Sequence, residues 1–128
     1  MKALEEKIVR EGTVLPGNVL KVGSFLNQQI DTAFLKEMAK EAKRLFEGIP
    51  VTKVLTVEAS GIAFATAVAM ELDVPMVFAK KHPSANVTGE QLFAPVYSFT
   101  HKTTYDIAVS KEYISEGDKV LITDDFLA

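Results

Sequence analysis

The sequence predicts one α/β domain built on a parallel sheet that is flanked by helices. Its 128 residues are enough for a single domain with a hydrophobic core. A β-branched run over Val51–Val57, a helix over Ile62–Leu72 that is apolar nearly all round and so predicted to be buried, and a buried strand over Val74–Ala79 form a strand–helix–strand unit. Such units pair their two strands in parallel. An amphipathic helix over Thr32–Glu47 provides an apolar face that covers the sheet.

The segment before this unit is predicted to hold a short helix and several extended pieces. The residues of Lys2–Glu11 follow helical spacing, and Gly12 suits a helix end. Residues 13–30 are interrupted by Pro and Gly, which favours short extended segments. Asp31 is a suitable N-cap for the helix over Thr32–Glu47.

The segment after the unit is predicted to hold a loop, a hairpin and one more strand. Residues 83–89 have a loop-like composition. Strands over Pro95–Phe99 and Tyr105–Val109 enclose the polar segment Thr100–Thr104, which predicts a hairpin with a flexible tip. After a turn, the final strand runs over Lys119–Thr123.

Charge and composition exclude several classes of protein. The net charge of −3 argues against a nucleic-acid-binding surface, which collects Lys and Arg to neutralise phosphates. The sequence has no Cys, which excludes disulfides and thiolate metal sites. The first residues lack the apolar core of a signal peptide, and the apolar stretch Gly61–Met70 is too short to span a bilayer. We therefore expect a cytoplasmic protein.

Polar groups follow three of the predicted strands, at the edge where open parallel sheets bind ligands. The turn Glu58-Ala59-Ser60-Gly61 leads into a helix, whose first amide groups attract anions. The alternative is an ordinary tight turn in which Ser60 caps the helix. Lys80 and Lys81 supply positive charge at the second strand end, unless they are only a solvated sheet edge.

Asp124 and Asp125 follow the final strand. Neighbours in an extended chain point to opposite faces, so one salt bridge does not neutralise both. The pair suits a diol, a hydrated Mg²⁺ or a shared proton, unless one of them caps a following helix. Together with the turn and the lysines, it predicts a ligand with phosphates at one end and a hydroxylated sugar. His82 and His101 lack ligand-like spacing, so Mg²⁺ fits better than zinc.

Four segments in chain order are similar to one family. The last of them, VLITDDFLA, resembles the start of the phosphoribosyl diphosphate (PRPP) motif of type I phosphoribosyltransferases. The segment VTKVLTVEASGIAFATAVAMELDVPMVFAKK resembles the diphosphate-loop segment of adenine and xanthine phosphoribosyltransferases. The segments LPGNVLKVGSFLNQQID and APVYSFTHKTTYDIAVS narrow the resemblance to bacterial xanthine phosphoribosyltransferases, and it runs along all 128 residues.

The resemblance implies a type I phosphoribosyltransferase fold in one domain over 1–128, with an N-terminal hood over about 1–30. It implies transfer of the 5-phosphoribosyl group of PRPP to xanthine, which gives xanthosine 5′-monophosphate and diphosphate in purine salvage. It implies a cytoplasmic homodimer and Mg²⁺ carried by PRPP, with no separate metal site on the protein. The developing positive charge on the ribose is then stabilised electrostatically, and no residue is assigned as a general base.

The resemblance also implies roles for individual residues at the PRPP site. The expected PRPP contacts are Glu58, Ala59, Ser60, Gly61, Lys80, Lys81, Asp124, Asp125 and Ala128. Asp124 and Asp125 are the catalytic pair and contact the ribose hydroxyls, while Ala128 begins the loop that holds the 5′-phosphate. The turn holds the diphosphate through its amides, and the two lysines reach the same group.

Two hood residues, Leu20 and Asn27, match positions that contact xanthine in the family. From the residues alone, Leu20 is explained by core packing and Asn27 by a turn or a cap. The resemblance is therefore the only basis for the xanthine contacts.

Three other functions compete with this interpretation. The first is the same chemistry on adenine, hypoxanthine or guanine. The second is a PRPP-sensing regulator of the same fold, which requires a basic DNA-binding module ahead of it. The third, a purely structural βαβ protein, does not explain three chemically matched strand ends.

Because family chains continue beyond Ala128, we expect a 128-residue product to turn over PRPP hardly at all.

Overall fold

The computed structural model describes residues 1–81, 89–98 and 103–126. In these ranges the helices are α1 (Lys2–Glu11), α2 (Thr32–Leu45) and α3 (Gly61–Leu72), with a π-helical turn at Gly23–Asn27. The strands are β1 (Thr13–Leu15), β2 (Val19–Lys21), β3 (Lys53–Val57), β4 (Met76–Lys81), β5 (Gln91–Ser98), β6 (Thr103–Ser110) and β7 (Val120–Ile122).

The predicted α/β architecture is confirmed, and the main sheet has five strands in the order β5-β6-β4-β3-β7. β3 pairs in parallel with β4 and with β7. The predicted hairpin, β5–β6, joins the sheet because β6 pairs antiparallel with the end of β4. The sheet is therefore mixed, with a parallel core of three strands and an antiparallel ribbon along one side.

One face of the parallel core is covered by α2 and α3. Every second residue of β3 is buried, with Val54 and Thr56 almost inaccessible. The core on this face consists of Ala39, Val54, Ala65, Val68, Ala69 and Leu121. Ile122, the neighbour of a buried residue in β7, is 73% exposed on the opposite face. The alternation along the strands thus separates a packed face from an open one.

The prediction that α3 is buried all round is wrong. Met70 is 76% exposed, because α3 lies on the sheet with one face and turns the other outward. α2 ends at Leu45, two residues before its predicted end, and the chain turns at Gly48 with φ +81°. Asp31 caps α2 as predicted, since its Oδ1 accepts a hydrogen bond from the Phe34 amide at 3.0 Å.

A second hydrophobic cluster, which we call the hood cluster, joins α1, the π-helical turn and α2. Its buried members are Val22, Phe25, Leu26, Leu35 and Met38. Lys7 is 7% exposed beside this cluster and donates to Asp31 at 2.8 Å and to Glu11 at 3.1 Å. The hydrogen bond to Asp31 raises the pKa of Lys7 and lowers that of Asp31. Lys7 thereby ties α1 to the start of α2.

The ammonium group of Lys7 also lies near two aromatic rings. It is 5.0 Å from the Phe34 ring centroid and 5.3 Å from that of Phe25, which are cation–π distances.

In the part of the chain that the structure describes, no helix has both the length and the apolar character needed to cross a membrane.

Candidate active site

The candidate site lies where β3, β4 and β7 end, along what we call the upper edge of the sheet. Because β3 is central, the turn that follows it lies between the end of β4 and the end of β7. The lysines of β4 flank the turn on one side, and the two aspartates after β7 flank it on the other. The sequence-predicted strand ends are therefore brought together.

The turn at 58–61 is fixed to β4 through Glu58. Its amide donates to the Ala79 carbonyl at 3.0 Å, and its Oε1 accepts from the Lys81 amide at 2.7 Å. The Glu58–Ala59 peptide bond is cis. Ala59 and Ser60 are exposed, so the first turn of α3 faces the open upper edge.

Gly61 is needed where Asp124 crosses the start of α3. A Cβ atom added at Gly61 would collide with Asp124 Oδ1 and with Thr56 Oγ1. Glycine therefore allows one carboxylate of the acidic pair to lie directly against the helix N-terminus.

The two carboxylates of the acidic pair have different partners. Ser60 Oγ donates to Asp125 Oδ1 at 3.0 Å, and Asn27 Nδ2 donates to Asp125 Oδ2 at 3.1 Å. Asp124 Oδ1 accepts from the Asp125 amide at 2.9 Å. Ser60 makes no side-chain cap bond to α3, so the interpretation of Ser60 as an ordinary cap is wrong.

No cation is paired with the acidic pair within the described residues. Asp124 is exposed as a whole, but its Oδ1 lies close against Gly61. This partial burial of the carboxylate raises the pKa of Asp124. The negative charge of Asp125 adds to this rise in pKa, while the Asp125 amide and the charge of Lys81 oppose it. The pair is thus arranged to receive hydroxyl donors or a cation.

Lys80 and Lys81 are both exposed at the end of β4. Their backbones pair with Ala108 and Ile107 of β6, so the hairpin joins the sheet at the lysines. Among the residues that the structure describes, neither ammonium group forms an ion pair. Their positive charge remains available to an anionic ligand.

Of the two residues predicted to contact the base, one lies at the acidic pair and the other packs against the hood cluster. Asn27, the last residue of the π-helical turn, reaches the acidic pair directly. Leu20 in β2 is half-buried and packs against the hood cluster of Phe25 and its neighbours, as the residue-only interpretation predicts. Ala128 and residues 100–102 of the predicted hairpin tip lie outside the described residues.

Two hydroxyl groups near the site were missed by sequence reasoning. Thr56 Oγ1 and Thr123 Oγ1 are buried and lack a hydrogen-bond partner within the described residues. The sequence signal for Thr56 was its place at one of the alternate, inward-facing positions of β3, where an aliphatic residue is usual.

Comparison with known proteins identifies the family. Residues 26–128 match the phosphoribosyl transferase domain. The chain belongs to the phosphoribosyltransferase family. It is 53% identical over 128 residues to the xanthine phosphoribosyltransferase of Lachnoclostridium phytofermentans, covering 100% of this chain and 66% of that relative. It is 54% identical to the xanthine phosphoribosyltransferase of Pediococcus pentosaceus, covering 100% of this chain and 67% of that relative.

Solved structures agree on the fold. The APRTase of Giardia lamblia, complexed with 9-deazaadenine, has a TM-score of 0.75 at 22% identity and covers 94% of this chain and 66% of its own. Adenine phosphoribosyltransferase from Leishmania donovani has a TM-score of 0.71 at 21% identity, over 98% of this chain and 56% of its own. These structures confirm the predicted type I phosphoribosyltransferase fold, and the two relatives above confirm the similarity to xanthine phosphoribosyltransferases.

Proposed function

We propose that this phosphoribosyltransferase transfers the 5-phosphoribosyl group of PRPP to xanthine in purine salvage. The products are xanthosine 5′-monophosphate and diphosphate. The observation that carries the proposal is the position of Asp125, which is bonded to Ser60 of the turn and to Asn27 of the hood. One carboxylate therefore touches the expected diphosphate site and the expected base site. The names of the relatives with 53% and 54% identity support xanthine as the base.

PRPP is proposed to lie along the upper edge of the sheet. Its diphosphate meets the amides of the 58–61 turn at the N-terminus of α3, where partial positive charge favours anions. The exposed ammonium groups of Lys80 and Lys81 add positive charge beside it. Asp124 and Asp125 accept hydrogen bonds from the ribose hydroxyls, and Ala128 begins the loop for the 5′-phosphate.

The chain's own residues act by positioning and electrostatics. The C1′–oxygen bond to diphosphate breaks with its electron pair on the leaving group, and a ring nitrogen of xanthine bonds to C1′. The carboxylates of Asp124 and Asp125 place negative charge near the cation that develops on the ribose. Lys80 and Lys81 stabilise the leaving diphosphate. No side chain is proposed as a general base, so the proton of the xanthine nitrogen leaves to solvent.

Mg²⁺ is proposed to enter with PRPP. Within the described residues no three His, Cys, Asp or Glu side chains come close enough to hold an ion by themselves. The acidic pair offers oxygen ligands without a cation partner, which suits Mg²⁺ shared with substrate oxygens. When bound, the ion neutralises charge on the diphosphate.

A homodimer acting in the cytoplasm is proposed from the family resemblance. Size-exclusion chromatography with light scattering tests the oligomeric state directly. A mass of one chain across the working concentration range would contradict the homodimer.

A second purine base is the competing function that has an observation in its favour. Both structural neighbours above are named as adenine phosphoribosyltransferases, but their identities of 22% and 21% support the fold alone. The relatives above 50% identity favour xanthine. Base choice therefore needs a direct comparison of substrates.

The decisive assay measures turnover by the whole protein with PRPP, Mg²⁺ and each of xanthine, guanine, hypoxanthine and adenine. We expect kcat/KM for xanthine to exceed that for adenine at least about 100-fold, as sites built around hydrogen bonds discriminate strongly. A preference for adenine would overturn the base assignment and keep the chemistry. Binding of PRPP without turnover on any base, together with DNA binding, would favour the regulator.

A further inference from the structure

The hydrogen bond between Asp125 and the hood takes no direct part in breaking or forming a bond of PRPP. Asp125 Oδ2 accepts this hydrogen bond from Asn27 Nδ2 at 3.1 Å, across 98 positions of sequence. Its Oδ1 is occupied separately by the hydroxyl of Ser60 at 3.0 Å. The acidic pair and the hood are therefore joined by one side-chain hydrogen bond.

This contact fixes which end of the Asn27 amide faces the acidic pair. A carboxylate oxygen only accepts hydrogen bonds, whereas an asparagine side chain has a donor end and an acceptor end. Asn27 must therefore turn its NH₂ group toward Asp125, which leaves Oδ1 for another partner. Within the described residues nothing donates to Asn27 Oδ1.

The backbone of Asn27 is held in place by the hood around it. The two residues before it, Phe25 and Leu26, are 1% and 7% exposed in the hood cluster. The turn is followed closely by Asp31, which Lys7 holds at 2.8 Å while Asp31 also caps α2. Rotation of the side-chain amide is thus the freedom left to Asn27, and Asp125 removes it.

We propose that Asp125 sets the base specificity of the site by forcing Asn27 to present a hydrogen-bond acceptor to the purine. This inference rests on the proposed function, in which Asn27 contacts the base. Xanthine carries hydrogens on both N1 and N3, so it donates to an acceptor from either position. Adenine has unprotonated nitrogens at both positions, so it meets the same oxygen with a lone pair. An acceptor held at Asn27 therefore favours xanthine and disfavours adenine.

The test is the ratio of kcat/KM for xanthine to kcat/KM for adenine, measured in the whole protein with one PRPP and Mg²⁺ concentration. Any effect of a substitution on the ribose or the diphosphate is common to both bases and cancels in the ratio. Asp125→Asn keeps the shape of the side chain but adds a donor that can bond to Asn27 Oδ1. We expect the ratio to fall about tenfold, because the Asn27 amide can then rotate its NH₂ group toward the base.

Asp124→Asn is the matched control. It makes the same change in charge on the neighbouring residue, whose Oδ1 accepts a hydrogen bond from the Asp125 amide rather than from Asn27 and lies close to Gly61. We expect it to lower both kcat/KM values while the ratio stays within about twofold of the wild-type ratio. Asn27→Ala is expected to lower the ratio by itself, and adding Asp125→Asn to it is expected to lower the ratio no further.

The outcomes separate this inference from the proposed function. A wild-type protein that prefers xanthine, together with an unchanged ratio in Asp125→Asn, overturns the role of Asp125 alone. An equal shift in Asp124→Asn also overturns it, because the effect then follows charge and not the Asn27 contact. If turnover of adenine is below detection, the inhibition constant of adenine divided by KM for xanthine is compared between the variants instead. A wild-type protein with no turnover on either base overturns the proposed function itself.

Discussion

The two ends of β7 carry aspartates in opposite situations. Before the strand, at the lower edge of the sheet, Asp118 accepts from Thr52 Oγ1 at 2.7 Å, from the Ser115 amide at 2.7 Å and from Lys53 Nζ at 2.8 Å. After the strand, at the upper edge, Asp124 and Asp125 have hydroxyl and amide donors but no cation within the described residues.

This difference separates a structural carboxylate from carboxylates that are available to a ligand. Lys53, with the Ser115 amide and the Thr52 hydroxyl, lowers the pKa of Asp118 to about 2. At the upper edge, burial raises the pKa of Asp124. At the lower edge, donors inside the protein already stabilise the charged form of Asp118. At the upper edge, the carboxylates remain able to bind hydroxyl groups or a cation of a substrate.

The largest expected effect is on catalysis when the upper edge loses a charge. Asp125→Asn, and separately Asp124→Asn, should lower kcat/KM for xanthine about 100-fold or more, because negative charge near the developing cation is lost. Steady-state kinetics of the whole protein measures this, with circular dichroism to verify folding. Asp118→Asn is the control at the lower edge and should keep kcat/KM near the wild-type value. Wild-type kinetics in Asp125→Asn would remove the acidic pair from the mechanism.

A smaller loss of activity is expected when the packing of Asp124 is disturbed without changing its charge. In Gly61→Ala the new Cβ meets Asp124 Oδ1 and Thr56 Oγ1, so the carboxylate must move from the start of α3. We expect kcat/KM to fall about tenfold or more, as small displacements of catalytic groups are costly. Unchanged kinetics with an unchanged melting temperature would show that Asp124 does not need this position.

A modest change in stability is expected at the lower edge. Because the folded pKa of Asp118 is lowered from 3.8 to about 2, its stabilisation is present above pH 4 and is lost as the pH falls toward 2. Asp118→Asn should therefore lower the melting temperature at pH 7 by a few degrees, with the difference closing toward pH 2. A difference that is constant over this range would contradict the assignment.

The smallest effect has the opposite sign and belongs to the upper edge. The raised pKa of Asp124 means that its charged form is disfavoured in the folded state. Its favourable contribution is complete below the ordinary pKa and is lost as the pH rises through the folded pKa. Asp124→Asn should therefore raise the melting temperature slightly at pH 7 and leave it unchanged in acid, which differential scanning calorimetry measures. A lower melting temperature at pH 7 would contradict this.

Local patterns were sufficient to predict much of this fold. α1 has the predicted bounds Lys2–Glu11, and Asp31 caps α2 as expected, because spacing and capping act within one or two helical turns. The strand ends were found because parallel strands bring their carboxyl ends to one edge. The same rule placed the acidic pair beside the 58–61 turn.

Contacts between distant segments were not predictable from these patterns. The bond between Asn27 and Asp125 spans 98 positions and depends on how the hood packs over the sheet. The burial of Lys7 also depends on that packing, since a lysine on an amphipathic helix is usually solvated. The family resemblance pointed to Asn27, but it did not indicate what holds its amide.

Direct binding of PRPP tests the central claim, that the upper-edge aspartates hold the ribose beside the diphosphate turn. Isothermal titration calorimetry with Mg²⁺ and PRPP compares the wild-type whole protein with Asp118→Asn and with the double variant Asp124→Asn/Asp125→Asn. We expect the double variant to bind PRPP at least about tenfold more weakly, since hydrogen bonds to charged groups are lost, while Asp118→Asn binds like the wild type. Equal affinity in the wild type and the double variant would contradict the claim.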